Sequence, residues 1–193
     1  TNENSIGLVF IGDGTCGEGV LYETFNIAAI LNLPLLFVCE NNGYAQSTKI
    51  QDNLAGNILD RPKAFGIRTF HSDTWDLETL FSTAEESINF VRANSKPAFH
   101  LVDTYRLNHH SKSDDNRDPE EVRRYCEIDP LNRFQADNPK RFNLMLEAVN
   151  SELMQVVKEA ENDGELAGNE YFVKEDLDVD YGFVELEDLE ERV

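Results

Sequence analysis

The stretch that decides the fold is IGLVFIGDGTCGEG, residues 6–19. Its first half, residues 6–11, is a short apolar run that ends at a glycine, and this pattern predicts a β-strand buried on both faces. After the glycines, VLYETFNIAAILN carries apolar residues at a helical period, which predicts a helix over residues 18–32. LPLLFVCE predicts a second buried strand. Because strand, helix and strand in this order form a right-handed βαβ unit, we expect Gly12 and Glu40 to lie side by side at one edge of a sheet.

The segments that follow continue the alternation of strands and helices. GIRTF predicts a third strand, LETLFSTAEESINFVRAN an amphipathic helix and PAFHLVDTY a fourth strand. NNGYAQST is expected to be a polar loop rather than a hairpin, because no strand follows it directly. The sequence therefore predicts an α/β fold with a doubly wound, mostly parallel sheet that binds ligands beyond the carboxyl ends of its strands. Since the chain reaches its first strand almost at once, we expect the sheet to be incomplete on its N-terminal side.

Beyond the fourth strand the pattern is helical and then acidic. DPEEVRRYCE predicts a helix opened by Asp118 with Pro119 in its first turn. NPKRFNLMLEAVNSELMQVVKEAEND predicts a longer amphipathic helix, whose apolar stripe is expected to pack against other parts of the protein. We therefore expect an α/β domain over residues 1–116, a helical extension over residues 117–163 and an acidic tail over residues 164–193.

The composition excludes several classes of function. A formal net charge of −20 at pH 7 would repel a nucleic-acid backbone, so any phosphate must be held locally. The sequence contains no apolar run long enough to cross a bilayer. Three cysteines without metal-ligand spacing indicate reduced thiols and a cytosol-like compartment rather than a disulfide framework. We expect a protein that binds neither nucleic acid nor a membrane.

The glycine-rich turn is open to two interpretations. Gly12, Gly14 and Gly17 satisfy the G-x-G-x-x-G fingerprint of dinucleotide-binding proteins, and Glu40 ends the next strand, where a ribose-binding acid would lie. Asp13 argues against a dinucleotide, because its carboxylate would repel a pyrophosphate placed on the bare backbone. A divalent cation between the carboxylate and the phosphates removes this repulsion.

Magnesium is the cation that such a site favours, because Mg²⁺ binds proteins through one or two carboxylates together with substrate phosphates. The loop after the adjacent strand offers neutral oxygen ligands, namely the side chain of Asn42 and a backbone carbonyl near Tyr44. The N–H groups of Gly14 and Thr15, near the start of the following helix, can meet a diphosphate directly. A GDG turn combined with NN across a βαβ unit is more specific than a GDG turn alone.

Four stretches of the chain carry a family resemblance. GDGTCGEG, FNIAAILNLPLLFVCENNGYAQST, DTWDLETLF and TYRLNHHSKSDD resemble, in that order, the α subunit of the thiamin-diphosphate-dependent decarboxylating component of 2-oxo acid dehydrogenase complexes, of the pyruvate, branched-chain or acetoin type. The GDG and NN pair is shared by thiamin-diphosphate enzymes generally, whereas CENNGYA and YRxxxHSxSD are typical of this α subunit. The resemblance implies a Mg²⁺ site at Asp13, Asn42 and the Tyr44 carbonyl, and diphosphate contacts at Gly14 and Thr15.

The resemblance places the reacting groups in the loop after the fourth strand. It implies that His110 faces the cofactor's thiazolium and the 2-oxo acid, as the catalytic residue that stabilises charge or moves a proton. His109 is a second candidate in the same loop. Tyr105 and Arg106 match the family's YR pair, in which the arginine could meet a substrate carboxylate or anchor the loop.

Two serines in the same loop are candidates for modification. Ser111 and Ser113 stand where some mitochondrial relatives are phosphorylated, and a phosphate there would repel an anionic substrate. The alternative is that both are plain loop serines. The HHSxSDD pattern is closer to branched-chain relatives than to pyruvate ones, but Asn108, His109 and Thr74 depart from the family's glycine-containing patterns and leave the substrate open.

The resemblance also implies a reaction and partners. The reaction is oxidative decarboxylation of a 2-oxo acid with transfer of the acyl group to a lipoyl arm. The implied partners are a β subunit, in a heterotetramer, and a lipoyl-bearing acyltransferase, in the bacterial cytoplasm or the mitochondrial matrix. Relatives carry a further segment before the GDG turn, and their β subunit supplies a catalytic glutamate. We therefore expect this chain alone to be inactive and to bind the cofactor weakly.

Two other classes of function stay open at this point. A nicotinamide-dependent Rossmann oxidoreductase is favoured by the glycine fingerprint and Glu40. A non-catalytic interaction module is favoured by the abrupt start of the chain and by its acidic end. A transketolase-like thiamin enzyme is a further possibility, against which CENNGYA argues.

Overall fold

The computed structural model describes residues 5–111 and 115–163, and the predicted α/β fold is confirmed. Strands β1 to β6 span, in chain order, Gly7–Gly12, Leu35–Asn41, Tyr44–Ala45, Thr48–Lys49, Arg68–Asp73 and Ala98–Asp103. Helices α1 to α7 span Gly19–Ile30, Ile50–Asn53, Asp60–Lys63, Leu77–Asn94, Pro119–Ile128, Pro130–Asp137 and Pro139–Asn162. A 3₁₀ turn, Asp13–Gly17, joins β1 to α1.

The longer strands form one parallel sheet in the order β1-β2-β6-β5. Gly12 lies opposite Glu40 in the register of β1 and β2, so the predicted βαβ unit and its paired strand ends are confirmed. Asp103, at the end of β6, lies opposite both Asn41 and Asp73. The carboxyl ends of these strands therefore meet at one edge, which carries the 3₁₀ turn and the loops after β2 and β6.

The two faces of the sheet are covered by different helices. On one face, Phe25 of α1 packs edge-on against Phe37 and Phe99, with ring centroids 5.0 and 5.8 Å away. Neighbouring residues along the same strands point to the opposite face, where they pack with α4. The cluster on that face consists of Leu36, Phe70, Val91 and Ala98. Because α1 and α4 cover opposite faces, the sheet is doubly wound, as the sequence predicts.

The expectation that the first strand is buried on both faces is wrong. Within the described residues β1 is an edge strand that pairs with β2 alone. Leu8, Val9 and Phe10 are exposed, Phe10 by 63%. The prediction fails because an apolar run reports a tendency to be buried and not whether neighbouring elements cover both of its sides.

The expectation that NNGYAQST is a loop without strands is also wrong. Tyr44 and Ala45 pair antiparallel with Lys49 and Thr48, which makes a small hairpin of β3 and β4. Gln46 takes the turn position with a φ of 58°. Strands of two residues are too short to show the alternation by which a strand is recognised in a sequence, so no strand is predicted here.

Two amphipathic helices are more exposed than their sequences predict. In α4, Val91 is buried, but Phe81 of the same predicted stripe is 73% exposed. In α7 the predicted stripe is 45–57% exposed at Met145, Leu146, Val149, Leu153, Val156 and Val157. What covers this stripe stays a prediction, because helical periodicity identifies an apolar face without identifying the element that packs on it.

The chain divides into two compact units, Thr1–Phe142 and Asn143–Val193. Helices α5 and α6 lie in the first unit, and the cap of α5 is as predicted, with the Asp118 side chain accepting the Glu120 N–H at 2.9 Å. The predicted boundaries after residues 116 and 163 differ from this division and stay a prediction. The predicted acidic tail lies outside the described residues. Within the part of the chain that the structure describes, no helix is long and apolar enough to span a bilayer.

Candidate functional site

Asp13 lies at the sheet edge where β1 and β2 end. It directly follows β1, and only 1% of its surface is exposed. Its two carboxylate oxygens accept the backbone N–H groups of Gly14 and Gly43, each at 2.7 Å. Burial raises the pKa of Asp13, and the N–H groups of Gly43, Gly14 and Tyr44 counteract this effect. The turn therefore presents a buried carboxylate held by backbone groups.

The turn after β2 lies against the same carboxylate. The side-chain oxygen of Asn42 accepts the Tyr44 N–H at 2.9 Å, which forms an Asx turn. Gly43, between them, has a φ of 80°, a conformation that favours glycine, and its N–H points to Asp13. The predicted ligands Asp13, Asn42 and Tyr44 are thus brought to one edge, although their role as ligands stays a prediction.

The glycines of the fingerprint have different environments. A Cβ atom on Gly14 would lie 2.7 Å from the Cβ of Ala45 in β3, which is too close for the two to coexist without movement. A Cβ atom on Gly12 would meet no atom within 4 Å. Thr15, the second predicted diphosphate contact, lies in the 3₁₀ turn, and its carbonyl accepts the Glu18 N–H at 3.0 Å. Gly14 is therefore required for the hairpin to pack on the turn.

Tyrosines from two loops converge on one carboxylate of α5. The hydroxyls of Tyr44 and Tyr105 donate to the same oxygen of Glu121, at 2.8 and 3.0 Å. The Tyr105 ring stacks on that of Tyr125 with centroids 3.9 Å apart. The Trp75 ring also contacts Tyr125, with centroids 5.4 Å apart. Helix α5 is thereby attached to both the hairpin and the loop after β6.

The loop after β6 is held by two arginines. Arg106 donates to the backbone oxygen of Gln46 at 2.7 Å and to that of Asn108 at 3.2 Å, which are the contacts of a loop anchor. The Arg117 side chain is 2% exposed, pairs with Asp115 at 2.6 Å and donates to the backbone oxygens of Arg106 and Asn108. The Arg117 guanidinium holds the pKa of the Asp115 carboxyl well below its usual range.

Glu121 and Arg117 are the site residues that sequence reasoning missed. Glu121 is 77 positions from Tyr44, and no local sequence pattern predicts a contact between residues so far apart. Arg117 sits in the acidic stretch DDNRDPEE, where a single cation among carboxylates is the one visible signal. That signal identifies a charge partner but not the backbone oxygens that the guanidinium also binds.

A cavity of about 420 Å³ opens beside these contacts. Its lining includes Lys49 of the hairpin, the aromatic stack and the end of β6. At that end Asp103 accepts the side-chain N–H of Asn41 at 2.7 Å, and its other carboxylate oxygen lies 2.8 Å from His71. His100 is buried in its strand, with Nε2 2.7 Å from the Ser72 hydroxyl. The cavity thus has aromatic walls and a polar edge.

The remaining predicted residues lie in the exposed part of the loop after β6. His109 and His110 are both exposed there. Ser111 is also exposed and ends the first described range. Ser113 lies outside the described residues. The catalytic and phosphorylation roles of these residues stay predictions.

The chemistry of the donor set decides which ion the turn could hold. Among the described residues there is no group of three or more His, Cys, Asp and Glu side chains suited to a metal. The oxygens at the Asp13 turn are instead one carboxylate, one amide and backbone carbonyls, which suit Mg²⁺ when a ligand supplies phosphate oxygens. The ion pairs of the described residues do not include Asp13, so its charge is available to a cation. The residues fit a magnesium diphosphate.

Comparison with known proteins decides the family. The model of the "Dehydrogenase E1 component" family matches residues 1–168. The chain belongs to this family. The resemblance carried by GDGTCGEG and CENNGYA is thereby confirmed.

Relatives of this chain include α subunits. It is 35% identical over 163 residues to the pyruvate dehydrogenase E1 component subunit alpha of Rickettsia felis, covering 81% of this chain and 50% of the relative. It is 37% identical over 138 residues to the mitochondrial 2-oxoisovalerate dehydrogenase subunit alpha of Caenorhabditis elegans, covering 69% of this chain and 32% of the relative. The chain therefore spans half or less of the length of these curated relatives.

Proposed function

We propose that this chain contributes the magnesium and diphosphate side of the cofactor site in the decarboxylating component of a 2-oxo acid dehydrogenase complex. The observation that carries the proposal is the hydrogen bond from the Gly43 N–H to the buried Asp13 carboxylate, which fixes the turns after two neighbouring parallel strands against each other. Family membership adds that dehydrogenase E1 components generally depend on thiamin diphosphate.

The residues of the turn would hold Mg²⁺ and the diphosphate. Asp13 would supply the anionic ligand, and Asn42 retains acceptor capacity because its oxygen has a second lone pair beyond the bond from Tyr44. The Gly14 N–H donates to Asp13, so a diphosphate contact at Gly14 requires the carboxylate to turn away toward the ion. Thr15 offers the next N–H near the start of α1. When bound, thiamin diphosphate supplies the electron sink for decarboxylation.

The loop after β6 would form the substrate side of the site. His110 is exposed on this loop, where it could move a proton or stabilise charge on a 2-oxo acid. Arg106 is engaged with backbone oxygens, so we assign it and Tyr105 to holding the loop. The acyl acceptor would be the lipoyl group of an acyltransferase, and a β subunit would complete the component.

The relatives support a 2-oxo acid as the class of substrate but do not identify which 2-oxo acid this protein uses. Their names include pyruvate dehydrogenase and 2-oxoisovalerate dehydrogenase at similar identity, 35% and 37%. Both substrates are 2-oxo acids, and we propose the class rather than either compound. Ser111 and Ser113 remain candidates for phosphorylation in the same loop.

Calorimetric titration of Mg²⁺ and thiamin diphosphate into the chain co-purified with a transketolase-type β partner tests the proposal. Asp13→Asn removes the anionic ligand and should weaken cofactor binding by at least about tenfold. Glu40→Gln is the matched control, because this acid lies opposite Gly12 in the neighbouring strand and is exposed. Cofactor binding should be unchanged in the control.

Two outcomes would contradict the proposal. Equal cofactor affinity in the wild type and in Asp13→Asn would remove the proposed metal ligand. Binding of NADH that is lost in Glu40→Gln would instead support the dinucleotide interpretation of the glycine fingerprint.

A further inference from the structure

Two buried thiols lie in contact, one in the Asp13 turn and the other in the strand next to it. The sulfur of Cys16, in the 3₁₀ turn, lies 3.9 Å from the sulfur of Cys39, in β2. Both residues are at most 1% exposed, and each is a free thiol. They lie 23 positions apart, so the contact links the turn to the strand on which it rests.

We propose that Cys16 and Cys39 form a reversible intramolecular disulfide and that this bond displaces the turn that carries Asp13. A disulfide requires its sulfurs to approach to about 2.05 Å. The present separation is 3.9 Å, so the two atoms must move together by nearly the difference.

The strand cannot supply that movement as easily as the turn. Cys39 lies in an inner strand of the sheet, where its neighbours in the register are Ile11 of β1 and Leu101 of β6. Moving it would break hydrogen bonds on two sides. Cys16 lies in a five-residue turn and is followed by Gly17, which is exposed. Bond formation should therefore displace the turn rather than the strand.

The surroundings of Cys16 favour it as the thiol that reacts first. Arg61 donates to the Cys16 backbone oxygen at 3.2 Å and places a guanidinium near this end of the pair. The hydrogen bond with Cys39 lowers the pKa of Cys16 and Arg61 acts in the same direction, and together they outweigh burial and the Asp13 carboxylate, which raise it. The pKa of Cys39 is raised by the same hydrogen bond and by burial. Cys16 is also followed directly by the exposed Gly17.

The oxidant is a hydroperoxide, and the steps balance. The Cys16 thiolate attacks one oxygen of hydrogen peroxide, the O–O bond breaks, and the products are a sulfenic acid at Cys16 and hydroxide. The Cys39 sulfur then attacks the Cys16 sulfur, an S–S bond forms, and water leaves with the thiol proton. The hydroxide takes up the proton that Cys16 lost on becoming a thiolate, so the two thiols lose two electrons and the peroxide is reduced to two molecules of water. A dithiol reductant reverses the change by thiol–disulfide exchange.

The consequence for the cofactor rests on the proposed function. Asp13 is three positions from Cys16 in the same turn, and its carboxylate is fixed by two hydrogen bonds of 2.7 Å. A displaced turn would break this arrangement, so the oxidised protein should bind Mg²⁺ and thiamin diphosphate less tightly than the reduced protein. The disulfide itself does not depend on that function.

The first experiment maps the bond in the full chain. The protein is treated with hydrogen peroxide, free thiols are blocked, and the peptides are identified by mass spectrometry. We expect a peptide linking Cys16 to Cys39 that disappears after reduction with a dithiol. Cys16→Ala should abolish the linked peptide, and Cys126→Ser, which alters the third cysteine, should leave it unchanged. Absence of the linked peptide in the wild type, or oxidation confined to Cys126, would overturn the proposal.

The second experiment measures whether the backbone of the Asp13 turn changes on oxidation. Hydrogen–deuterium exchange of the backbone over residues 13–19 should differ between the reduced and oxidised chain, while β6 should be unaffected. Unchanged exchange at the turn, with the disulfide present, would overturn the displacement.

The third experiment separates the proposal from the proposed function. In the complex with a β-type partner, oxidation should weaken binding of Mg²⁺ and thiamin diphosphate by about tenfold or more, and reduction should restore it. Unchanged binding in the oxidised complex would overturn the effect of the disulfide on the cofactor site. Failure of the reduced complex to bind the cofactor would overturn the proposed function, whereas the disulfide and the exchange result would stand.

Discussion

The turn after β1 and the loop after β6 lie at the same edge of the sheet, but they are held in different ways. The turn is fixed by backbone groups, since Asp13 accepts N–H groups from its own turn and from the turn after β2. The loop is fixed by side chains, chiefly Arg117 and the pair of tyrosines on Glu121. A backbone arrangement depends on a few glycines and one acid, whereas a side-chain arrangement depends on contacts between distant positions.

This difference separates the proposed metal side of the site from the proposed substrate side. The turn is tied to parallel strands, whose register places Gly12 opposite Glu40 whatever side chains the loops carry. The loop can change its anchors without changing the sheet. Substrate choice is therefore expected to vary through the loop while the diphosphate turn keeps its geometry, and substitutions in the two regions should have different consequences.

The largest effect is expected from Arg117→Met, which breaks the anchoring of the loop. This change removes the Arg117 donor from the backbone oxygen of Arg106, leaves the backbone oxygen of Asn108 with Arg106 as its donor, and removes the ion pair with Asp115. The free energy of unfolding should fall by about 2–4 kcal/mol, the cost of removing one partner from a buried, hydrogen-bonded set. Urea unfolding of the full chain measures this free energy. Backbone hydrogen exchange should increase more in the loop after β6 than in the Asp13 turn.

Arg123→Met is the matched control for the buried arginine. Arg123 forms ion pairs with Glu120 and Glu127 on the exposed side of α5, and its side chain is 57% exposed. Exposed pairs of this kind contribute little, so no measurable change in the midpoint of unfolding is expected. Equal effects of the two substitutions would show that burial of Arg117 is not what anchors the loop.

The second effect concerns the turn and its packing against the hairpin. Gly14→Ala places a Cβ atom 2.7 Å from the Cβ of Ala45, and neither atom belongs to a flexible side chain. The free energy of unfolding should fall by about 1–3 kcal/mol, as for other overpacked sites. Gly12→Ala has no atom within 4 Å of the added Cβ and should change it by less than about 0.5 kcal/mol. Similar melting temperatures for the two variants would contradict the assignment of Gly14 as a packing glycine.

The backbone half of this comparison could be predicted from the sequence. An apolar run followed by GDG, and a second run followed by NN, place Asp13 and Asn42 at one edge because parallel strands joined by a helix must end together. The register of β1 and β2 confirms this reasoning. Such a prediction needs only the order of elements and the position of the polar residues at strand ends, and both are local features.

The side-chain half could not be predicted, for a physical reason. Glu121 serves Tyr44 and Tyr105 from positions 77 and 16 residues away, and the geometry of these contacts depends on how α5 docks. The hairpin of β3 and β4 was missed because strands of two residues carry no periodicity. The exposure of β1 was missed because an apolar run cannot report which neighbours are present.

The smallest effect is expected at Glu121, where it is confined to alkaline pH. Burial, and next the hydrogen bond to Glu121, raise the pKa of Tyr44 and of Tyr105 to about 12, from 10.0 in the unfolded chain. The stability that the two neutral phenols contribute is therefore fully present below about pH 10 and is lost as the pH rises toward 12. Glu121→Gln keeps a hydrogen-bond acceptor but removes the negative charge, so both pKa values should fall and the alkaline loss should become smaller.

Urea unfolding at about pH 9 and about pH 11 measures this difference, because only the unfolded chain releases the phenol protons over most of that interval. Glu120→Gln is the matched control, since this neighbouring carboxylate accepts from Arg123, whereas both tyrosine hydroxyls donate to Glu121. The control should lose as much stability between the two pH values as the wild type, and Glu121→Gln should lose less. Equal losses of stability in all three proteins would mean that the Glu121 charge does not affect the pKa values of the two tyrosines. The attachment of α5 to the two loops would then depend on ring stacking and burial alone.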